Sequence, residues 1–131
     1  VKANLQLYSK IDQLKYVGFV ETIERWGVHD EWAGELFNYF IIGLRPGSFH
    51  TSCFANDLIG AVQHSHISNH WESIQAMMKW VNEEAPRGSW GNYNIIDDWV
   101  KLPIVERDKI TCAKWRQRSD SEVTFKLLEE A

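Results

Sequence analysis

Residues 43–49 read Gly43-Leu44-Arg45-Pro46-Gly47-Ser48-Phe49, and a few positions on come Ala55-Asn56-Asp57-Leu58. The Pro-Gly pair is turn chemistry, because Pro fixes φ and has no N–H with which to continue a helix. Ser48 follows, a residue whose hydroxyl suits a helix N-cap. The stretch therefore predicts that one helix stops near Gly43 and another opens at Ser48. That helix would run through Phe49, Phe54, Leu58 and Val62 to about His64. Asn56 and Asp57 then fall two turns inside it, where a sequence chosen for packing has little use for both.

Upstream, Asp30 is expected to cap a helix carrying Trp32, Leu36, Phe37, Phe40 and Ile41. Before it, Ile11, Leu14, Val17, Val20 and Ile23 recur at helical spacing and end at Trp26-Gly27, with Gly27 suited to the left-handed position beyond a helix end. Downstream, Ser68 is expected to open a further helix. Trp71, Ile74, Met77, Met78 and Val81 share one broad face of it, Glu72 comes near to completing a capping box, and Ala85-Pro86 stops it. Residues 87–93 form a turn-rich loop, after which Asn94 is expected to cap a short helix holding Ile95, Ile96, Trp99 and Val100.

Beyond Pro103 two readings stand. Residues 104–118 make one more helix, which the helical character of the rest favours. Alternatively, Ile110–Gln117 and Glu122–Leu127 pair as a hairpin around Arg118-Ser119-Asp120-Ser121. No repeat, low-complexity tract or linker divides the chain. The expected architecture is a single all-α domain over 1–131, a compact bundle of about five to six helices.

Composition narrows function more than it names it. The chain has 131 residues, 44% hydrophobic and 24% charged, which is ordinary for one globular domain. Seven Trp residues are the outlying number. They predict a Trp-rich core with one or two rings left for contacts. The net charge of −4 disfavours nonspecific nucleic-acid binding and is too mild for a nucleic-acid mimic. Residues 101–126 are locally basic through Lys101, Arg107, Lys109, Lys114, Arg116, Arg118 and Lys126, and read as a solvated face. Cys53 and Cys112 show no paired or metal-type spacing, which fits a reducing, cytoplasmic setting. No apolar run is long enough for a membrane helix, and the N-terminus shows no signal-peptide pattern.

Three clusters carry chemistry-bearing side chains. His64, His66 and His70 lie within seven residues, but a helix starting at Ser68 turns His66 away from His70. The Glu of the two-histidine hydrolase signature is also missing. A polar turn is favoured, and no metal or other cofactor is expected. Arg45, Asn56, Asp57 and His64 are candidate ligand contacts, with Asp57 paired to Arg45 or capping a helix as the plainer reading. In the third cluster, Arg87, Trp90 and Tyr93 sit on a glycine-rich loop and are the residue types that anchor interfaces. Trp90 folding back onto the bundle end is its structural alternative. No nucleophile motif or phosphate loop appears, so the balance leans away from an enzyme.

The ordered set Pro46-Gly47-Ser48-Phe49, Asn56-Asp57-Leu58, Ala61, Asn69, Trp80-Val81-Asn82, Ala85-Pro86, Trp90-Gly91 and Trp99 resembles a group of small uncharacterised phage and prophage proteins. The likeness spans about residues 36–101, with His64-Ser65 where that group often has Ala-Asp. It implies a phage-encoded helical unit working in the host cytoplasm. The expected function is that of a non-enzymatic accessory protein that binds a host protein to inhibit or redirect it. The alternative is a small-ligand or metal-binding enzyme using Asn56, Asp57 and the 64–70 histidines. The third reading is nucleic-acid binding by the basic C-terminal part. Oligomeric state is open.

Overall fold

The first described helix, α1, covers Val17–Trp26 and ends as its glycine predicts. Gly27 takes φ 67°, its N–H donates to the Glu24 carbonyl, and the Val28 N–H reaches back to Ile23, the paired bonds of a Schellman stop. The computed structural model describes residues 17–65 and 71–116. The expected first-helix residues Ile11 and Leu14, the Ser68 cap, and His66 and His70 lie outside those residues, as do Gln117 and the 122–127 half of the alternative hairpin.

Helix α2 (Asp30–Phe37) begins one residue earlier in its capping than expected. His29, not Asp30, is the cap, its Nδ1 accepting from the Glu31 N–H. The helix runs on as a π-helical turn, Asn38–Ile42, and stops at Gly43 in the left-handed region (φ 86°). Gly43 is required twice over. A Cβ there would lie 2.2 Å from the Arg107 guanidinium carbon. Helix α3 (Ser48–Phe54) has Gly47 at its cap position and no side-chain cap bond, so Ser48 is its first helical residue and not its cap.

The long helix expected from Ser48 to His64 is two helices. Asn56 turns to φ 61°, a conformation Asn tolerates better than other residues bearing a Cβ. Asp57 then becomes the N-cap of α4 (Leu58–His64), its carboxylate accepting from the Gly60 N–H. The polar pair ends one helix and starts the next. Helix α5 (Trp71–Glu84) follows, then α6 (Tyr93–Lys101), capped by Asn92 and not Asn94 through the Ile95 N–H. Helix α7 (Ile104–Thr111) continues as a π-helical turn, Cys112–Arg116. Residues 110–116 are therefore helical, which removes the first strand of the hairpin. The described residues hold seven α-helices against the five to six expected, because the third divides.

The core is built around Trp80 of α5. Its ring meets Phe19 edge-on at 5.7 Å and Phe40 at 5.3 Å, and stacks on Trp115 at 5.9 Å. Its indole N–H donates to the Thr22 hydroxyl, which itself donates to the Phe19 carbonyl. Trp99 is buried with its N–H on the Tyr39 carbonyl, and Trp26 donates to the buried Glu84 carboxylate. Helix α1 meets the chain's last described turn so closely that a Cβ on Gly18 would sit 1.7 Å from the Trp115 carbonyl oxygen.

Arg107 departs from the expectation of a solvated basic face. It is buried, and its guanidinium donates to the carbonyls of Ile42, Trp99 and Leu102 where two helices end. Helix-terminal carbonyls lack intrahelical partners, and a forked cation answers several at once.

Candidate functional site

The α3–α4 elbow separates two cavities, one polar and one apolar. On the polar side, the Asp57 carboxylate accepts from the Gly60 N–H at 2.9 Å and from the Tyr93 hydroxyl at 2.5 Å. The Ser52 hydroxyl lies 3.3 Å from the same phenol oxygen. These contacts, Tyr93 first and the Gly60 amide second, hold the Asp57 carboxyl below its ordinary pKa. The elbow is tight, since a Cβ on Gly60 would come within 2.2 Å of an Asp57 oxygen.

Beside this pair opens a cleft of about 250 Å³ bordered by Arg45, Ser48, Thr51, Ser52, His64 and Tyr93. Arg45 forms its ion pair with Asp97 of α6, not with Asp57. The structure thus brings Arg45, Asp57, His64 and Tyr93 into one neighbourhood, drawing from both groups of candidates. Asn56 lines the apolar cavity, to whose edge Asp57 also contributes.

That second cavity is a groove of about 580 Å³ between α4 and α5, closed at one side by Trp26. Its walls include Leu58 and Ala61 from α4, and Trp71, Ile74, Met78 and Asn82 from α5. The five apolar residues expected on one face of this helix therefore divide. Met77 and Val81 enter the core, while Trp71, Ile74 and Met78 turn to the groove. Helix α4 is apolar along most of its length, yet its inward residues are Gly60 and Ala61. Leu58 is 74% exposed, Ile59 73% and Val62 65%, and Trp71 across the groove is 65% exposed.

Cys53 contributes to the groove floor, and burial pushes its thiol up to about 11, so it is a neutral thiol and not a nucleophile near pH 7.

The Arg87–Trp90–Tyr93 loop is held closely. The Tyr39 hydroxyl donates to the Ser89 carbonyl at 2.6 Å, and the Gly91 N–H donates to the Phe54 carbonyl at 2.8 Å. Trp90 is half-buried and packs on the core, whereas Arg87 and Tyr93 are exposed. Among the described residues the open indole is that of Trp71. The sequence places it on one broad apolar face, and the signal that could have set it apart was the width of that face. Five apolar residues spread over more of a helix than one core contact can cover.

No group of three or more His, Cys, Asp or Glu side chains among the described residues is placed to hold a metal ion. No helix among them is long and apolar enough to cross a membrane. Comparison with family models, with curated proteins and with solved structures gives no match.

Proposed function

We propose that this chain is a non-enzymatic accessory protein of the phage type its ordered motifs resemble, and that it works in the host cytoplasm by docking a host protein on the α4–α5 groove. The supporting observation is a 580 Å³ groove bordered by the exposed Leu58 and Trp71, on a helix α4 that also exposes Ile59 and Val62. Single exposed apolar residues need no explanation, but a contiguous patch of large ones around a cavity marks an interaction surface. Such side chains gain free energy on leaving water, about 25 cal/mol per Å², and a docked protein supplies that burial.

Site-specific photo-cross-linking in cells tests this. A photoreactive residue at Leu58 should yield a discrete covalent adduct with one host protein, and the same residue at exposed Lys101 should not. Equal yields from both positions, or no adduct from Leu58, would reject the reading.

The small-ligand alternative has one favourable observation, the convergence of Arg45, His64, Ser48 and Tyr93 on the polar cleft. A rise in melting temperature with added inorganic phosphate, lost in Arg45→Ala, would support it. Nucleic-acid binding through the basic C-terminal part is weakened by Arg107, whose guanidinium is committed inside the fold.

A further inference from the structure

The groove has a direction, a length and a charged lip, and together these restrict its occupant. Its α5 wall extends from Trp71 to Glu83, roughly 18 Å at about 1.5 Å per residue. The described residues contain no strand, so they offer no sheet edge on which an extended peptide could pair its backbone. The walls are mainly apolar side chains. An occupant that arrives with its own backbone hydrogen bonds already made, as a helix does internally, suits such walls best.

The lip carries the second restriction. Residues along an α-helix advance by about 100° each, so Glu72, Lys79 and Glu83 project within about 20° of one direction. Lys79 and Glu83 border the groove, which sets Glu72 on the same lip, and all three are exposed. Acids therefore stand at both ends of this stripe, eleven positions apart (83 − 72), with one cation between them. Three helical turns are about 11 residues, so a partner helix lying along α5 repeats that spacing on its own flank.

We propose that the groove receives an amphipathic helix of a protein partner. It would lay large apolar residues at i, i+3/i+4 and i+7 onto Leu58, Ile74 and Met78, and carry basic side chains three turns apart opposite Glu72 and Glu83. This rests on the reading of the groove as a protein-docking site, and adds to it the chemistry of what docks.

Two labelled helical peptides test it against the full chain by fluorescence anisotropy. Both carry the same leucine stripe. One has lysines eleven residues apart on the flank, and the other has glutamates there. The lysine peptide should bind about tenfold more tightly, from two attractions replacing two repulsions of modest size each. The difference should shrink at high salt. A Glu72→Lys, Glu83→Lys double variant should reverse the preference, and Leu58→Asp, with its helical content checked by circular dichroism, should abolish both. Equal affinity for the two peptides overturns the inference.

An apolar fluorescent dye separates this failure from failure of the underlying reading. Dye binding that depends on Leu58, without binding of either peptide, rejects the helical occupant while the groove stands as an apolar site. Absence of both dye and peptide binding rejects both. A dimer in sedimentation that Leu58→Asp converts to monomer overturns the inference by making a second copy the occupant.

Discussion

The two faces of α5 are built from the same residue types and do opposite things. On the inner face Met77, Trp80 and Val81 are buried, and each polar group there has been answered: the Trp80 N–H by Thr22, the Glu84 carboxylate by Arg25 and Trp26. On the groove face Trp71, Ile74 and Met78 look across open space to Leu58. Interior packing is dense enough that removing a side chain leaves a void, whereas an open face has no contacts to lose. One helix thus carries both a buried indole at the centre of the core and an exposed indole at the groove.

Truncating the inner residue should produce the largest effect. Trp80→Ala removes the ring that joins Phe19, Phe40 and Trp115, and is expected to lower unfolding free energy by about 3–5 kcal/mol in urea titration. A loss below about 1 kcal/mol would mean that the described core is not the stability centre.

Helix α3 has a buried titratable group of its own. His50 packs among Trp32, Phe49 and Phe54, and its Nε2 finds no hydrogen-bond partner among the described residues. Burial lowers its pKa to about 4, against about 6.5 for an unfolded chain. The folded state therefore favours the neutral ring. Its contribution is complete above pH 6.5 and is lost as pH falls towards 4, on the order of 3 kcal/mol in all. His50→Phe should flatten stability between pH 4 and 6.5 relative to wild type, as read by urea midpoints across that range. An unchanged slope would exclude His50 as its source.

How much of this was legible in the residues depends on the range of the interaction involved. The helices and their glycine stops followed from local chemistry, as Gly27 and Gly43 show, because a left-handed residue declares itself within one turn. The division at Asn56-Asp57 was also local, yet helical periodicity from Phe49 to Val62 masked it. Two short helices in sequence keep nearly the apolar spacing of one long one. The burial of Arg107 was not legible, since the carbonyls it answers belong to Ile42 and Trp99, on other helices. The groove fell in the same class: that Trp71 and Leu58 face one another is set by the elbow and by packing across the chain.

The elbow supplies a smaller effect. Asp57→Ala removes the cap of α4 and the acceptor of the Tyr93 hydroxyl, and should lower the melting temperature by less than Trp80→Ala does. Because its carboxyl titrates below the usual range in the folded chain, the Asp57 contribution is present above the ordinary carboxylate pKa and is lost as pH falls through the lower folded value. Tyr93→Phe should reproduce part of that loss and reduce the acid sensitivity, which differential scanning calorimetry at successive pH values would detect. No change in either variant would show that the Asn-Asp break is held by backbone preference and not by this hydrogen-bonded pair.

The smallest effect on stability is the most discriminating. Trp71→Ala removes an indole as large as that of Trp80, from the same helix, three turns away less two residues. If the two faces differ as described, its cost to unfolding free energy should stay within about 0.5 kcal/mol, because a ring 65% exposed leaves no comparable void behind. The same substitution should weaken binding of any protein that docks in the groove, since a large aromatic side chain bordering a cavity is the kind that anchors an interface. Urea titration and cross-linking yield, measured on one variant, therefore separate folding from contact. A loss of several kcal/mol in Trp71→Ala would assign that ring to the fold and count against the docking surface proposed for the groove face.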